Sequence, residues 1–263
     1  MNIQELQKIM AQLRSPNGCP WDREQTPQTL KRFLIEESYE LLEAIDKNNV
    51  EDIKEELGDV LLQVVFHSQI AEEENKFTLN DVIDGICKKL IVRHPHVFDT
   101  NNLEINTARD VEIQWEKIKQ KDYQKKATRE SVVDGVPTAM PSTLQAVRIT
   151  EKASRVGFDW NNPKDVLNKL DEELQELKEA FEHGNPKEIK HEMGDMFFAL
   201  SNLARHQQLD PEEVHNSCIQ RFKTRFKKME ELAKLENKTL NDYTLEQQEE
   251  LWQKAKKLLK DFE

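Results

Sequence analysis

One acidic pattern is written twice in this chain, and that repetition restricts its architecture more than any other feature. Glu36-Glu37-Ser38-Tyr39-Glu40, then Glu56-Leu57-Gly58-Asp59, recurs as Glu172-Glu173-Leu174-Gln175-Glu176, then Glu192-Met193-Gly194-Asp195. Matched positions stand 136 residues apart (173 − 37, 192 − 56). In a chain that is 33% charged, acidic triplets arise from composition alone, but two compound patterns with the same inner gap do not. Residues three or four apart share a helix face. Glu173 and Glu176 therefore point one way, as do Glu192 and Asp195, and Glu172 shares a side with Glu176. Two such helices folded antiparallel across Gly184-Asn185-Pro186 would aim four or five carboxylates at each other. Clustered carboxylates raise one another's pKa unless cations intervene. Mg²⁺ takes oxygen ligands, keeps several waters and completes its shell with substrate phosphates. Gly58 and Gly194, each just before an Asp, are read as allowing close helix approach. The apolar runs that follow, Val60 to Phe66 and Met196 to Leu203, are expected to be buried.

The remainder of the chain predicts an all-α fold. Seven glycines and nine prolines in 263 residues leave little material for the turns of an all-β chain. Helical apolar spacing predicts elements over 3–14, 29–47, 50–74, 79–92 and 110–121, with breaks at Pro16–Pro20 and His94-Pro95. The second half repeats the layout over 143–155, 164–183, 187–207, 211–237 and 245–261. Two domains are expected, 1–123 and 143–263, joined by a connector over 124–142 where Lys125-Lys126, Gly135, Pro137 and Pro141 interrupt any period.

The repeat extends beyond the acids. Trp115 and Lys119 are matched by Trp252 and Lys256, and Lys89 and Arg93 by Arg221 and Arg225. Taken singly, Arg221 and Arg225 read as an ordinary basic helix face and Trp252 as core. Their joint recurrence marks them as candidates for phosphate and base contact. Lys169 and Asn202 distinguish the copies, because the first copy has Phe33 and Phe66 in their places. It loses a cation and an amide and gains two aromatics, so the second copy is the expected working site. His67 and His206 have no partner readable from the sequence.

A formal charge of −12 argues against non-specific nucleic-acid binding, which needs basic groups on phosphates. Cys19, Cys87 and Cys218, odd in number and far apart, are expected to be reduced thiols in a cytoplasmic protein. No signal-peptide pattern opens the sequence and no apolar run is long enough for a membrane span.

The pattern Glu-Glu-x-x-Glu, a short gap, then Glu-x-x-Asp resembles the signature of the MazG family of nucleoside triphosphate pyrophosphohydrolases. Asn17-Gly18-Cys19-Pro20-Trp21-Asp22, Arg93-His94-Pro95-His96-Val97-Phe98 and Val156-Gly157-Phe158-Asp159-Trp160 add to the resemblance, which spans nearly the whole chain. It implies two tandem MazG-type helical-bundle domains, a homodimer, and Mg²⁺-dependent conversion of NTP and water to NMP and pyrophosphate, with broad base use; Mn²⁺ is the alternative ion. It implies a catalytic role for the C-terminal copy. Glu173, Glu176, Glu192 and Asp195 would hold metal, and Glu172 would bind a second ion or orient the attacking water. Lys169, Arg221, Arg225 and Lys256 would meet phosphate oxygens, while Asn202 and Trp252 would meet the nucleotide. Glu36, Glu37, Glu40, Glu56, Asp59, Arg93, Trp115 and Lys119 would form a vestigial first site. This chain departs from close relatives at His191, where they carry Glu. Two rival functions are a non-catalytic nucleotide-sensing module and a di-iron carboxylate bundle, the latter needing Glu-x-x-His from two helices.

Overall fold

A computed structural model describes residues 2–99 and 131–259, together with Thr107, Asp110, Val111, Gln114, Trp115 and Ile118 between them. The predicted helix over 110–121 lies largely outside these residues, as does the first part of the predicted connector, residues 124–130. The described residues form helices and turns without a strand. They divide into two compact units, Met1–Lys126 and Ala127–Glu263. No described helix is long and apolar enough to cross a membrane.

In the first unit α1 (Ile3–Leu13), α2 (Pro20–Glu24), α3 (Pro27–Asp46), α4 (Val50–Glu73), α5 (Leu79–Arg93) and α6 (Pro95–Phe98) follow in order. Two short helices that the sequence did not predict, α2 and α6, follow the breaks at Pro16–Pro20 and His94-Pro95. Each begins with proline in its first turn, where the missing N–H costs nothing. The central element is the α3–α4 hairpin. Thr26 and Thr29 form a reciprocal cap at the start of α3, with Pro27 in the first helical position. Asn49 caps α4 by accepting from the Glu51 and Asp52 amides. The one residue that must reverse the chain, Asn48, adopts φ 52°, a left-handed conformation that Asn tolerates better than most residues. Met10, Leu30, Val65, Phe66, Ile70 and Leu79 close the core around this hairpin.

The second unit comprises α7 (Ser142–Ser154), α8 (Pro163–His183), α9 (Pro186–His206), α10 (Pro211–Leu235) and α11 (Leu245–Leu259), with a single 3₁₀ turn at Leu240–Asp242. Residues 131–141, predicted as connector, fold back onto α7: Lys152 Nζ donates to the Asp134 carbonyl at 3.0 Å and Gln145 Nε2 to the Met140 carbonyl at 2.7 Å. The α8–α9 hairpin is built like α3–α4. Asn162 caps α8 ahead of Pro163, Gly184 ends it at φ 67°, and Asn185 caps α9 ahead of Pro186. Gly184 here does what Asn48 does in the first unit. The α7 helix lies on α9, and α10 and α11 pair around Met229, Leu251 and Ala255.

Two expectations fail. A Cβ added at Gly58 or Gly194 would meet nothing within 4 Å, so neither glycine marks a close approach inside its unit. The apolar runs after the acids are only partly covered: Ala199, Ser201 and Asn202 are buried, but Phe197 and Leu200 are exposed. A helix covered by two neighbours buries only part of its circumference. The uncovered strip Met193, Phe197 and Leu200 follows the i, i+4, i+7 spacing of one face. Leu57, Leu61 and Val64, at the matching positions of α4, are exposed in the same way.

Candidate functional site

Hairpin symmetry decides which acids meet. Both helices leave the Gly184 turn with the same rise of about 1.5 Å per residue, so residues equally distant from it stand level. Glu176 and Glu192 are each eight residues from Gly184, and Glu173 and Asp195 are each eleven. Around Asn48 the level pairs are Glu40 with Glu56 and Glu37 with Asp59. Each unit thus carries a four-cornered arrangement of carboxylates.

In the second unit, carboxylate oxygens of Glu173, Glu176 and Glu192 lie within 4.8 Å of one another. Glu173 is buried, with 5% of its surface exposed. Lys169 Nζ donates to Glu173 Oε1 at 2.8 Å and to Glu172 Oε1 at 2.6 Å, and these bonds raise the Lys169 pKa, the Glu172 bond most. Glu173 Oε2 is buried with no hydrogen-bond partner. Burial, then the Glu173 and Glu192 charges, push the Glu176 pKa up. Asp195 is the corner that stays outside the group. Its Oδ2 lies 3.5 Å from His191 Nε2, one turn back on the same helix. Of the four or five carboxylates expected to face one another, three share that close spacing. Glu172 is likewise on the outer side, exposed beyond Lys169.

In the first unit the converging acids are Glu37, Glu56 and Asp59. Glu36 and Glu40 are exposed, and Glu40 stands outside the three. The pKa values of Glu37 and Glu56 are raised by burial first, then by neighbouring carboxylates, Asp59 leading for Glu37 and Glu40 for Glu56. Among the described residues no amine does there what Lys169 does. Phe33 takes its place, and the nearby Arg32 guanidinium lies 4.4 Å above that ring.

The other sequence candidates form separate groups on neighbouring helices. Trp252 is half-buried, its ring centroid 5.1 Å from that of Phe222, with the Arg225 guanidinium 6.0 Å from the Trp252 ring. Arg221 is exposed and donates to Ser217 Oγ at 2.6 Å. Lys256, one turn past Trp252, is half-buried. In the first unit Arg93 lies 5.5 Å over the Trp115 ring, beside His94. The structure thereby repeats the basic–aromatic pairing; Lys119 lies outside the described residues.

Asn202 is fully buried on α9. Its Oδ1 accepts from Arg205 Nε at 2.8 Å, and Arg205 in turn grips Asp159 with both terminal nitrogens, at 3.0 and 2.5 Å. His206 Nε2, without a partner in the sequence reading, lies 3.1 Å from Asp159 Oδ1. Burial alone would raise the Asp159 pKa, but the Arg205 bonds and charge outweigh it and hold the carboxyl below the usual range. Sequence reasoning passed over Arg205, because nothing periodic links a helix end to a loop 46 positions earlier. The two converging groups among the described residues are carboxylates alone. Neither contains the histidines a di-iron bundle requires.

Comparison with known proteins bears on all of this. A family model described as the MazG nucleotide pyrophosphohydrolase domain matches residues 25–98 and again 161–229. The chain is 48% identical over 255 residues to a Thermotoga maritima protein named nucleoside triphosphate pyrophosphohydrolase/pyrophosphatase MazG, covering 97% of this chain and 95% of that one. It is 38% identical over 258 residues to a nucleoside triphosphate pyrophosphohydrolase of Escherichia coli K12, covering 97% of each. A crystal structure of a mazG-related protein from Thermotoga maritima aligns with 45% of this chain and 99% of its own, at 26% identity and a TM-score of 0.38.

Proposed function

The chain belongs to the MazG nucleotide pyrophosphohydrolase family, and from that membership we propose that it cleaves nucleoside triphosphates to nucleoside monophosphate and pyrophosphate, using the second unit. One observation carries the choice of site. Glu173 is a buried carboxylate satisfied on one oxygen by Lys169 and left without a partner on the other, beside oxygens of Glu176 and Glu192. Buried charges need partners, and a set of carboxylate oxygens suits a hard divalent cation.

Glu173, Glu176 and Glu192 fit Mg²⁺, with Mn²⁺ as the alternative, and Asp195 is the fourth candidate ligand, one turn along α9. A bound ion would neutralise the triphosphate and lower the pKa of a water. The chain's own groups do the rest. Lys169 exchanges a carboxylate for a phosphate oxygen and stabilises charge as it develops. Glu172, exposed beside it, orients the water that attacks the α-phosphorus and takes the proton that water loses. The new P–O bond forms at that phosphorus as the α–β bridging bond breaks and pyrophosphate leaves. Arg221, Arg225 and Lys256 meet phosphate oxygens. Trp252 offers a stacking face, and stacking tolerates any base, so ribo- and deoxyribonucleotides of all bases serve. The first unit, with Phe33 and Phe66 where the second has Lys169 and Asn202, does not turn over substrate.

The protein acts as a homodimer. Met193, Phe197 and Leu200 on α9 and their counterparts on α4 form outward apolar strips, and a second copy offers self-complementary faces to cover them.

Pyrophosphate release from a panel of NTPs and dNTPs, with Mg²⁺ and with chelator, tests the assignment. Release should require the divalent ion, Glu176→Ala should abolish it, and Glu40→Ala should leave most of it. The reverse mutant pattern would place turnover in the first unit, and no release from any nucleotide would end the hydrolase reading.

A further inference from the structure

Arg205 settles which way the Asn202 amide faces. A guanidinium carries donors only, so the atom that Arg205 Nε meets must be the Asn202 carbonyl oxygen. The amide NH₂ then faces away from Arg205. Asn202 is 0% exposed, and its Nδ2 has no hydrogen-bond partner. A buried donor left unsatisfied destabilises the fold, so an asparagine held in this orientation is matched to an acceptor that arrives from outside. Asn202 stands seven residues past Asp195 on α9, two turns along the same face and about 10.5 Å of helix rise from the acids. With the α-phosphoryl group held at the carboxylates, that offset points to the nucleoside part of a substrate.

We infer that Asp159 and Arg205 are positioning residues that lock Asn202 as a hydrogen-bond donor to an acceptor atom of the nucleoside. The inference rests on the pyrophosphohydrolase reading. Asp159 accepts from both terminal nitrogens of Arg205 and also from the Trp160 amide at 2.9 Å, which ties the loop ahead of α8 to the end of α9. His206, 11% exposed, closes the other side of Asp159. The fork can neither slide nor turn, and the amide it holds cannot flip without leaving Arg205 Nε facing another donor.

The first unit supplies the contrast. Phe66 occupies the Asn202 position, and the Arg14 guanidinium lies 5.5 Å from its ring centroid while binding Glu73 at 2.7 Å. A carboxylate-anchored guanidinium is present there too, with an aromatic ring and no amide to orient. Its role is confined to structure.

The test is a double-mutant cycle on the full chain, read as KM, kcat and the Kd of a non-hydrolysable ATP analogue. Arg205→Met, Asp159→Asn and Asn202→Asp should each raise KM and Kd about fivefold to tenfold, the worth of one hydrogen bond. Their kcat should change by less than about threefold, because the acids at the α-phosphorus are untouched. Arg205→Met added to Asn202→Ala should cost little beyond Asn202→Ala alone, since both remove the same contact. Arg14→Met should lower the melting temperature without moving KM. Comparing dNTPs with 2′,3′-dideoxy-NTPs narrows the acceptor: loss of discrimination in the variants marks the 3′-oxygen, and unchanged discrimination marks the base or the sugar ring oxygen. Additive effects of Arg205→Met and Asn202→Ala, or an unchanged KM, would overturn the positioning role in an active enzyme. A wild-type chain that neither binds nor cleaves any nucleoside triphosphate overturns both this inference and the reading beneath it.

Discussion

Replacing Lys169 with methionine keeps most of the aliphatic stem and removes the charge that Glu173 leans on. The Glu172 half of the bridge is exposed and contributes little. The Glu173 half is different, because that carboxylate is buried and its other oxygen is already unsatisfied. A charge-assisted hydrogen bond of this kind is worth about 1.5–3 kcal/mol, and the partial exposure of Lys169 places it toward the lower end. We therefore expect a loss of about 2 kcal/mol in the unit Ala127–Glu263. For a unit of that size, this lowers its melting temperature by about 8 °C. Thermal unfolding followed by circular dichroism in chelator measures the gap. Excess Mg²⁺ should then narrow it, because a cation held by Glu173, Glu176 and Glu192 takes over the neutralising role and stabilises the folded state by mass action. A Lys169→Met protein as stable as wild type in chelator would refute the view that Lys169 neutralises a buried anion. A gap unchanged by Mg²⁺ would separate the ion from these acids.

Acid should weaken metal binding. Glu176 has a raised folded-state pKa, so between the ordinary glutamate value and that raised value the folded state holds more protons than the unfolded chain. Stability of the metal-free protein therefore falls as pH rises through that window, and the same rise frees the site for a cation. Calorimetric titration should show tighter Mg²⁺ binding at about pH 7.5 than at about pH 5, with proton release inside the window, and equal affinity at both would contradict it. Light scattering should give twice the mass of one chain, and Phe197→Glu, which puts a charge into the exposed strip of α9, should shift the population to monomer; a monomeric wild type rules out the dimer.

The long elements of this fold can be read from sequence because apolar spacing persists over many turns. The α3–α4 and α8–α9 hairpins emerge from that spacing, whereas their caps, Thr26, Asn49, Asn162 and Asn185, lie just ahead of the periodic runs and come into view only with the structure. Helices of four or five residues do not emerge, because α2 and α6 are too short to show a period. The acids are legible as a repeat, and their level pairing follows from the turn. Which three of the four converge is not, since it depends on rotamers: Asp195 lies beside His191, an i, i+4 contact that spacing permits but does not decide. The Asp159–Arg205–Asn202 chain is the part that sequence reasoning could not reach. Its loop and helix end meet only after α8 and α9 have folded back, and an arginine closing an apolar helix looks like any other polar stop. Exposure of Phe197 was hidden for a related reason. Helical period tells that a strip is apolar, not whether the same unit covers it.

The single left-handed residue at each hairpin bend has a consequence for how such a chain can vary over time. An extra residue between His183 and Asn185, if taken up by lengthening α9, would turn the rest of that helix by about 100°, scattering Glu192 and Asp195 away from their opposite numbers. Substitutions are tolerable at this bend, as Asn48 in place of glycine illustrates, but changes of length are not. Its one-residue span acts as a vernier that sets the two halves of the site, and insertions or deletions in descendants of this protein should be found elsewhere.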